Sequence, residues 1–176
     1  RALLHRQISR AAPYPTDNRA MDIQPLILAV NSHQAEDAFK PRLSPEQWRA
    51  VQSFMSHHEL RAGDLLVRQD DQDRTVFLLE EGTVQVFRSA PQGPAGEPQG
   101  RTRIAIVRPG SILGEGGLFG LVPRLANVEA MSACKVWVLV PTRWDELCLR
   151  QPVIAIEILK AAGATYAARM RMNLTN

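Results

Sequence analysis

The chain has 176 residues, of which 45% are hydrophobic and 22% charged, and its formal net charge is +3. This size and apolar content suffice for one folded domain with additional helices. The first 20 residues carry four arginines and one aspartate, whereas the rest of the chain carries seventeen basic and seventeen acidic side chains. A nucleic-acid surface concentrates basic residues, so we expect no nucleic-acid binding from this chain alone. Because no apolar run approaches the roughly 20 residues of a membrane span, we also expect a cytoplasmic protein.

The N-terminal part, residues 1–42, is predicted to be an arm followed by a weakly helical segment. Pro13 and Pro15 interrupt any helix near the start, and residues 22–40 have weak helical character. Because the sequence starts at Arg1, we expect either an excised fragment or added residues, with Met21 as the natural start.

A helix start is predicted at Ser44, which precedes Pro45 and stands three residues before Gln47. The serine can cap the helix, the proline fits its first turn, and the glutamine can reach back to the serine backbone. The predicted buried stripe is Trp48, Val51, Phe54 and Met55. We expect His57 and His58 to end this helix in solvent, where a positive charge is favourable.

From Leu60 onward, apolar residues alternate with polar ones, which is typical of half-buried strands. We predict six short strands, at Asp64–Val67, Thr75–Leu79, Thr83–Phe87, Arg101–Val107, Ala126–Ala130 and Lys135–Val140. Such strands, separated by glycine turns, favour a double-sheet jelly roll. Residues 90–100 form a Pro/Gly-rich loop that we interpret as a spacer. The two cysteines lie at no metal-ligand spacing and are expected to be buried free thiols.

The C-terminal part, residues 153–176, is predicted to be one long helix opened by Pro152, after a shorter helix capped by Thr142. Its apolar residues at helical spacing are Ile156, Leu159, Gly163, Tyr166, Ala167, Met170 and Leu174, and we expect this face to pack on the sheets. Small residues at 161–164 would let two such helices approach closely, which favours a homodimer.

The segment from Gly110 to Ala130 carries the most specific chemical pattern. Glu115 lies in a glycine-rich turn, and Arg124 follows nine residues later. A turn that opens into a helix presents backbone N–H groups to an anion, and an arginine can bind phosphate oxygens with two parallel hydrogen bonds. A carboxylate accepts hydrogen bonds from sugar hydroxyls. Together they predict a site for a small ribose phosphate, although the two side chains could also pair only with each other.

Two segments in this region, residues 113–118 (Leu-Gly-Glu-Gly-Gly-Leu) and 123–128 (Pro-Arg-Leu-Ala-Asn-Val), resemble the phosphate-binding cassette of the cyclic nucleotide-binding domain family. The family pattern is Phe-Gly-Glu-Leu-Ala-Leu, a spacer, then Pro-Arg-Ala-Ala-Thr-Val. Gln69, thirteen residues before Gly82, also fits the family, and the resemblance covers residues 43–152. It implies a mainly β fold with flanking helices: a double-stranded β-helix jelly roll with N-terminal helices and a C-terminal helix.

The resemblance also implies roles for individual residues. Arg124 would pair with the exocyclic phosphate oxygens, and Glu115 would accept from the ribose 2′-hydroxyl. Neighbouring backbone would complete the cradle, at Gly114, Gly116, Gly117, Leu118, Leu125 and Ala126. The last helix would close over the base, with Tyr166 and Leu159 as candidate contacts, and would transmit the signal. Because residue 125 lacks a hydroxyl, we expect cyclic AMP as the ligand rather than cyclic GMP, with no prosthetic group and no metal.

Three positions depart from the family pattern: Asp70 replaces a glycine, Gly116 replaces a large apolar residue, and Leu125 replaces a small residue. They leave open a degenerate domain that no longer binds ligand and mediates protein contacts. A second alternative is the sensor fragment of a transcription regulator whose DNA-reading helices lie beyond Asn176.

Catalysis is not expected from this sequence. A metal-dependent jelly-roll enzyme needs several histidines on facing strands, and all four histidines precede the first predicted strand. No serine or cysteine nucleophile has a plausible base beside it. A dinucleotide-binding motif is also excluded, because Phe119 stands where its third glycine would be.

Overall fold

The computed structural model describes residues 21–90 and 100–174, and the structural statements below concern these ranges. The predicted arm, and almost all of the predicted Pro/Gly-rich spacer, lie outside the described residues. The strands are β1 (Ser56–Leu60), β2 (Leu65–Val67), β3 (Val76–Glu81), β4 (Val84–Ser89), β5 (Arg101–Val107), β6 (Ile112–Leu113), β7 (Asn127–Ala130) and β8 (Cys134–Leu139). The helices are α1 (Gln24–Ser32), α2 (Pro45–Gln52), α3 (Pro141–Arg150), α4 (Pro152–Leu174) and a 3-10 helix (Glu115–Phe119).

The eight strands form two four-stranded antiparallel sheets, in the orders β1-β8-β3-β6 and β2-β7-β4-β5. Apart from β4 and β5, strands that are neighbours in a sheet are not consecutive in sequence, as in a jelly roll. The six predicted strands are therefore confirmed, each to within two residues at either end. The predicted fold class, mainly β with flanking helices, is confirmed as well.

Two apolar clusters stabilise this architecture, one on each side of the first sheet. Residues from both sheets fill the space between them, among them Leu66, Phe77, Leu79, Val84 and Val136. The opposite face of the first sheet is covered by helices, whose apolar side chains pack around Trp137. Strands β3 and β8 contribute side chains to both clusters, because successive side chains along a strand point to opposite faces of the sheet.

The N-terminal helices are built as the sequence predicts. Ser44 accepts from the backbone N–H of Gln47, whose side chain accepts in turn from the Ser44 N–H, so the capping box is confirmed. Helix α1 packs against β3 and the turn at Gly110. Gly110 has φ +88°, and a Cβ there would lie 2.3 Å from the Ala29 carbonyl oxygen. This glycine therefore permits the close approach of α1 to the sheets.

The expectation that His57 and His58 end a helix in solvent is wrong, because both lie on β1. β1 pairs with β8, which places His57 opposite Trp137 with ring centroids 5.0 Å apart. The His57 side chain is only 5% exposed and lies 3.6 Å from a Glu80 carboxylate oxygen. The expectation that all four histidines precede the first strand is wrong for the same reason. Pairing with a buried neighbour, not an apolar pattern of its own, makes this segment a strand.

Two details of the C-terminal helices also differ from prediction. Val140, not Thr142, is the N-cap of α3. The buried residues of α4 are Ile154, Ala155, Ile158, Ala161, Ala162, Thr165 and Ala168, whereas Ile156 is half exposed. The predicted packing face is therefore wrong, because a helix with apolar residues on nearly every side gives the periodicity no single face to select.

Within the described ranges, no helix is long and apolar enough to cross a bilayer. Among the same residues, no group of three or more metal-ligating side chains comes together. Cys134 is a buried free thiol, as predicted, and Cys148 is free but only partly buried.

Candidate functional site

The glycine-rich turn follows β6 and forms the short 3-10 helix. Gly114 precedes this helix with φ +73°, and Gly120 ends it with φ +74°. Gly117 lies so close to the neighbouring loop that a Cβ would be 2.5 Å from the Arg74 carbonyl oxygen. A Cβ added at Gly116 would lie 3.5 Å from the nearest atoms, on Leu121, so this position has room for a small side chain.

Arg124 lies buried behind this turn, with a residue exposure of 6%. Its Nη1 donates to the Gly114 carbonyl oxygen at 3.0 Å, and its Nη2 donates to the Thr75 carbonyl oxygen and to Asp73 Oδ2, the latter at 3.0 Å. Its Nε is buried and has no hydrogen-bond partner among the described residues. Because a buried N–H without an acceptor is costly, this atom marks a place for an additional anion or polar group.

The loop before β3 holds the Arg124 backbone on both sides. The Arg124 N–H donates to the Asp71 carbonyl oxygen, and the Asp70 N–H donates to the Arg124 carbonyl oxygen, both at 2.9 Å. Asp70 has φ +69° and, among the described residues, is the single non-glycine residue with positive φ. This left-handed conformation explains why a glycine is usual there and why aspartate, which tolerates it best after glycine and asparagine, can replace it.

Glu115 is buried at the start of the 3-10 helix, with 6% of its surface exposed. Its Oε1 accepts from Arg169 Nη1 of α4 at 2.7 Å. Arg169 also donates from Nε to Asp37 Oδ2 at 2.8 Å and from Nη1 to the Ile112 carbonyl oxygen at 3.0 Å. Burial would lower the pKa of Arg169, but the carboxylates of Glu115 and Asp37 raise it above its usual value, so the guanidinium stays charged.

In the structure, Glu115 and Arg124 do not form an ion pair with each other. Glu115 and Arg124 have separate ion-pair partners, Arg169 and Asp73, so the alternative that they pair only with each other is wrong. Of the predicted backbone donors, the Gly117 N–H already donates to the Gly114 carbonyl oxygen at 2.9 Å. It is therefore not free for a ligand in this conformation.

The remaining predicted residues lie at the rim or behind the turn. Leu125 is 57% exposed and Ala126 is partly buried, while the Leu118 side chain packs into the cluster beneath the helices. Tyr166 lies on α4 with its ring centroid 6.4 Å from that of Phe119. Helix α4 therefore already lies against the turn, as the predicted lid would.

Sequence reasoning missed Asp73, Arg169 and Asp37. Asp73 belongs to an acidic loop, residues 70–73, that follows Gln69, and this local excess of carboxylates was the available signal. Arg169 is one of few charged residues in an apolar helix, but the face it occupies could not be assigned from periodicity. Asp37 carries no local signal, because its partner is 132 residues away.

A buried arginine and a buried carboxylate around a glycine turn, on an antiparallel jelly roll, are the features that the resemblance to the cyclic nucleotide-binding domain implies. The family model of the cyclic nucleotide-binding domain matches residues 57–151, more than half of the chain. The chain therefore belongs to the cyclic nucleotide-binding domain family.

Individual relatives agree with this family. Mouse cGMP-dependent protein kinase 2 is 26% identical over 111 residues, which are 63% of this chain and 13% of that kinase. A cyclic nucleotide-binding domain from Methylobacillus flagellatus KT superposes with a TM-score of 0.69 at 23% identity, covering 85% of this chain and 79% of that one. The regulatory domain of Toxoplasma gondii PKA with cAMP gives 0.54 at 22%, covering 70% and 43%. The two structures confirm the fold.

Proposed function

We propose that this chain is a sensor that binds a 3′,5′-cyclic nucleotide at the turn formed by residues 113–128. The observation that carries the proposal is the buried, unpartnered Nε of Arg124. This donor lies on a side chain that is 6% exposed, in the same turn as the buried carboxylate of Glu115. A phosphate oxygen would satisfy the donor and add a charge-assisted hydrogen bond.

The ligand groups follow from the donors and acceptors in place. Arg124 would bind the phosphate, supported by backbone N–H groups of Gly116, Leu125 and Ala126. The Leu118 N–H lies inside the 3-10 helix, where it donates to the carbonyl three residues before it. The ion pair with Arg169 uses Oε1 of Glu115, so the other carboxylate oxygen would accept from the ribose 2′-hydroxyl. Residues 43–152 would form the binding domain and residues 153–176 the lid.

Cyclic AMP is the proposed ligand, in preference to cyclic GMP. Leu125 lies at the rim with no hydroxyl to donate to a guanine, and it is 57% exposed. Tyr166 of α4 would contact the base from above, beside Phe119. The names of the relatives point to both nucleotides, since one is a cGMP-dependent kinase and another structure contains cAMP.

Helix α4 is the proposed signalling element, because it contacts the turn through both Tyr166 and Arg169. In this proposal α4 has two positions, one close to the ligand site and one further away. Ligand binding shifts the balance between them only if the ligand binds the two forms of the chain with different affinity. We also propose that the exposed face of α4, which includes Val153 and Ile156, pairs with a second copy. Of the small residues at 161–164 that were predicted to let two helices approach, Ala161 and Ala162 are buried in the core of the chain. The exposed Ala164 and Ala167 would instead let the second helix come close.

Calorimetric titration of cyclic AMP and cyclic GMP, into the parent chain and into Arg124→Ala, tests the proposal. We expect one-to-one binding by the parent and a loss of about 2–5 kcal/mol in the variant, roughly 30- to several-thousandfold in affinity. The 2′-deoxy analogue should lose about 1–3 kcal/mol, because it leaves the Glu115 acceptor unpaired. No binding by the parent at millimolar nucleotide would contradict the proposal.

A degenerate domain that mediates protein contacts is the second candidate. The observation that favours it is a group of exposed apolar side chains around the turn: Phe119, Leu121, Val122 and Leu125. Exposed apolar clusters of this kind mark interaction surfaces. The titration separates the two candidates, since only the sensor binds the nucleotide. The third alternative, a fragment of a transcription regulator, stays a prediction about sequence beyond Asn176.

A further inference from the structure

The segment between α1 and α2, residues 33–43, is here named the connector. It is anchored in the fold by Phe39, which is 1% exposed, and by Lys40, whose Nζ donates to the Val30 carbonyl oxygen at 2.6 Å. Two carboxylates of the connector face α4, where Asp37 pairs with Arg169 and Glu36 pairs with Arg171. The connector is therefore held to the last helix by two neighbouring ion pairs.

The two ion pairs differ in their surroundings. The side chains of Asp37 and Arg169 are 21% and 20% exposed, whereas those of Glu36 and Arg171 are 65% and 72% exposed. Exposed pairs contribute little because water screens them, so the Asp37 pair is the one that matters energetically. It is also the one connected to the proposed ligand site, through the Arg169–Glu115 contact.

Arg169 thus holds two acidic side chains that belong to different parts of the chain. Its Nε binds Asp37 of the connector, and its Nη1 binds Glu115 of the turn. Its Nη2 is buried without a hydrogen-bond partner among the described residues. Without this guanidinium, two carboxylates would face a partly buried space with no counter-charge, which is unfavourable.

We propose that Arg169 couples occupancy of the ligand site to docking of the connector, so that ligand and connector stabilise each other's binding. The proposal rests on the function proposed above. A ligand hydroxyl on the second oxygen of Glu115 would fix the carboxylate without displacing Arg169. A fixed Glu115 orients Arg169, and an oriented Arg169 binds Asp37 more tightly. The link is reciprocal, so a docked Asp37 raises ligand affinity by the same factor.

The first test compares Asp37→Asn with Glu36→Gln, a matched control that removes the neighbouring exposed pair. Asp37→Asn should weaken cyclic AMP binding by about five- to tenfold, within the usual range of coupling between sites. Glu36→Gln should change it by less than about twofold. In Arg169→Gln, adding Asp37→Asn should cause no further loss, which separates coupling from general destabilisation. Equal effects of Asp37→Asn and Glu36→Gln would overturn the proposal.

The second test measures hydrogen exchange of the connector amides. Cyclic AMP should slow exchange at residues 35–40 in the parent but not in Arg169→Gln. In the ligand-free chain, Glu115→Gln should speed exchange there, whereas Glu157→Gln, which removes an ion pair with Lys160 on the same helix, should not. This comparison needs no nucleotide, so it can be made even if the parent does not bind one. It therefore tests the contact between Arg169 and the connector separately from the proposed nucleotide binding. Unchanged exchange in Glu115→Gln would overturn the coupling.

Discussion

Asp73 and Arg124 form an ion pair of 3.0 Å, although they are 51 residues apart in sequence. Asp73 also accepts from the Thr75 N–H at 3.1 Å and from the Thr75 hydroxyl at 2.8 Å, which fixes its position at the start of β3. The buried guanidinium is thereby neutralised in the ligand-free chain. An anion that binds Arg124 must share this arginine with Asp73 or displace it.

Asp73→Asn should therefore raise the affinity for cyclic nucleotide, by about three- to tenfold, because the amide keeps a hydrogen-bond acceptor but no longer repels the phosphate. The same change should lower the free energy of unfolding of the ligand-free chain by about 1–2 kcal/mol, since Arg124 loses its counter-charge. Titration and denaturant unfolding measure the two effects. A fall in affinity would show that Asp73 instead positions Arg124 for the ligand.

Asp70→Gly should stabilise the chain by about 1 kcal/mol, because glycine adopts φ +69° without the steric cost that aspartate carries. The matched control is Asp71→Gly at the next position, which has no positive φ. There glycine should destabilise by about 0.5–1 kcal/mol, since it adds freedom to the unfolded chain. Urea unfolding of both variants checks the prediction, and two changes of the same sign would contradict it.

Gly117→Ala and Gly116→Ala should behave differently although they are neighbours. At position 117 the new Cβ would lie 2.5 Å from a backbone oxygen, so the turn must shift, and we expect a loss of about 1–3 kcal/mol in stability with weaker nucleotide binding. At position 116 the nearest atom is 3.5 Å away, and we expect a change within about 0.5 kcal/mol. Thermal unfolding and titration of both variants measure this difference. Equal losses would mean that the turn relaxes freely around Gly117.

The sequence predicted what depends on local pattern. The capping box at Ser44, the alternating strands and the glycine turn around Glu115 were all visible, because each follows from neighbouring residues. The ends of long-range contacts were not visible. Asp37 and Arg169 meet only because α4 folds back over the connector, and their separation of 132 residues leaves no local trace.

β1 shows the same limit in the fold. The residues around His57 and His58 do not show the apolar alternation of a strand. They form β1 because their backbone pairs with the buried strand β8, Cys134–Leu139. Tertiary pairing overrides local preference there. The buried face of α4 was mispredicted for a related reason, since only the shape of the neighbouring sheet and turn selects among its apolar sides.

His58 should make stability depend on pH. Burial, and then the neighbouring His57, lower the pKa of His58 below its ordinary value near 6.5. The unfolded chain therefore binds a proton at higher pH than the folded chain does. Stability from the neutral His58 is present above about pH 6.5 and is lost as the pH falls below that value, until the folded pKa is reached.

The test compares the free energy of unfolding at pH 7.5 and pH 5.5 in the parent and in His58→Gln. The amide can still hydrogen-bond to Ser56, whose hydroxyl lies 2.9 Å from His58 Nε2, but it does not titrate. The parent should lose more stability than the variant between the two pH values, because the carboxylates contribute alike to both. A larger loss of stability in the variant than in the parent would contradict this prediction. It would mean that the pKa of His58 is higher in the folded chain than in the unfolded chain, so that the fold stabilises the protonated histidine.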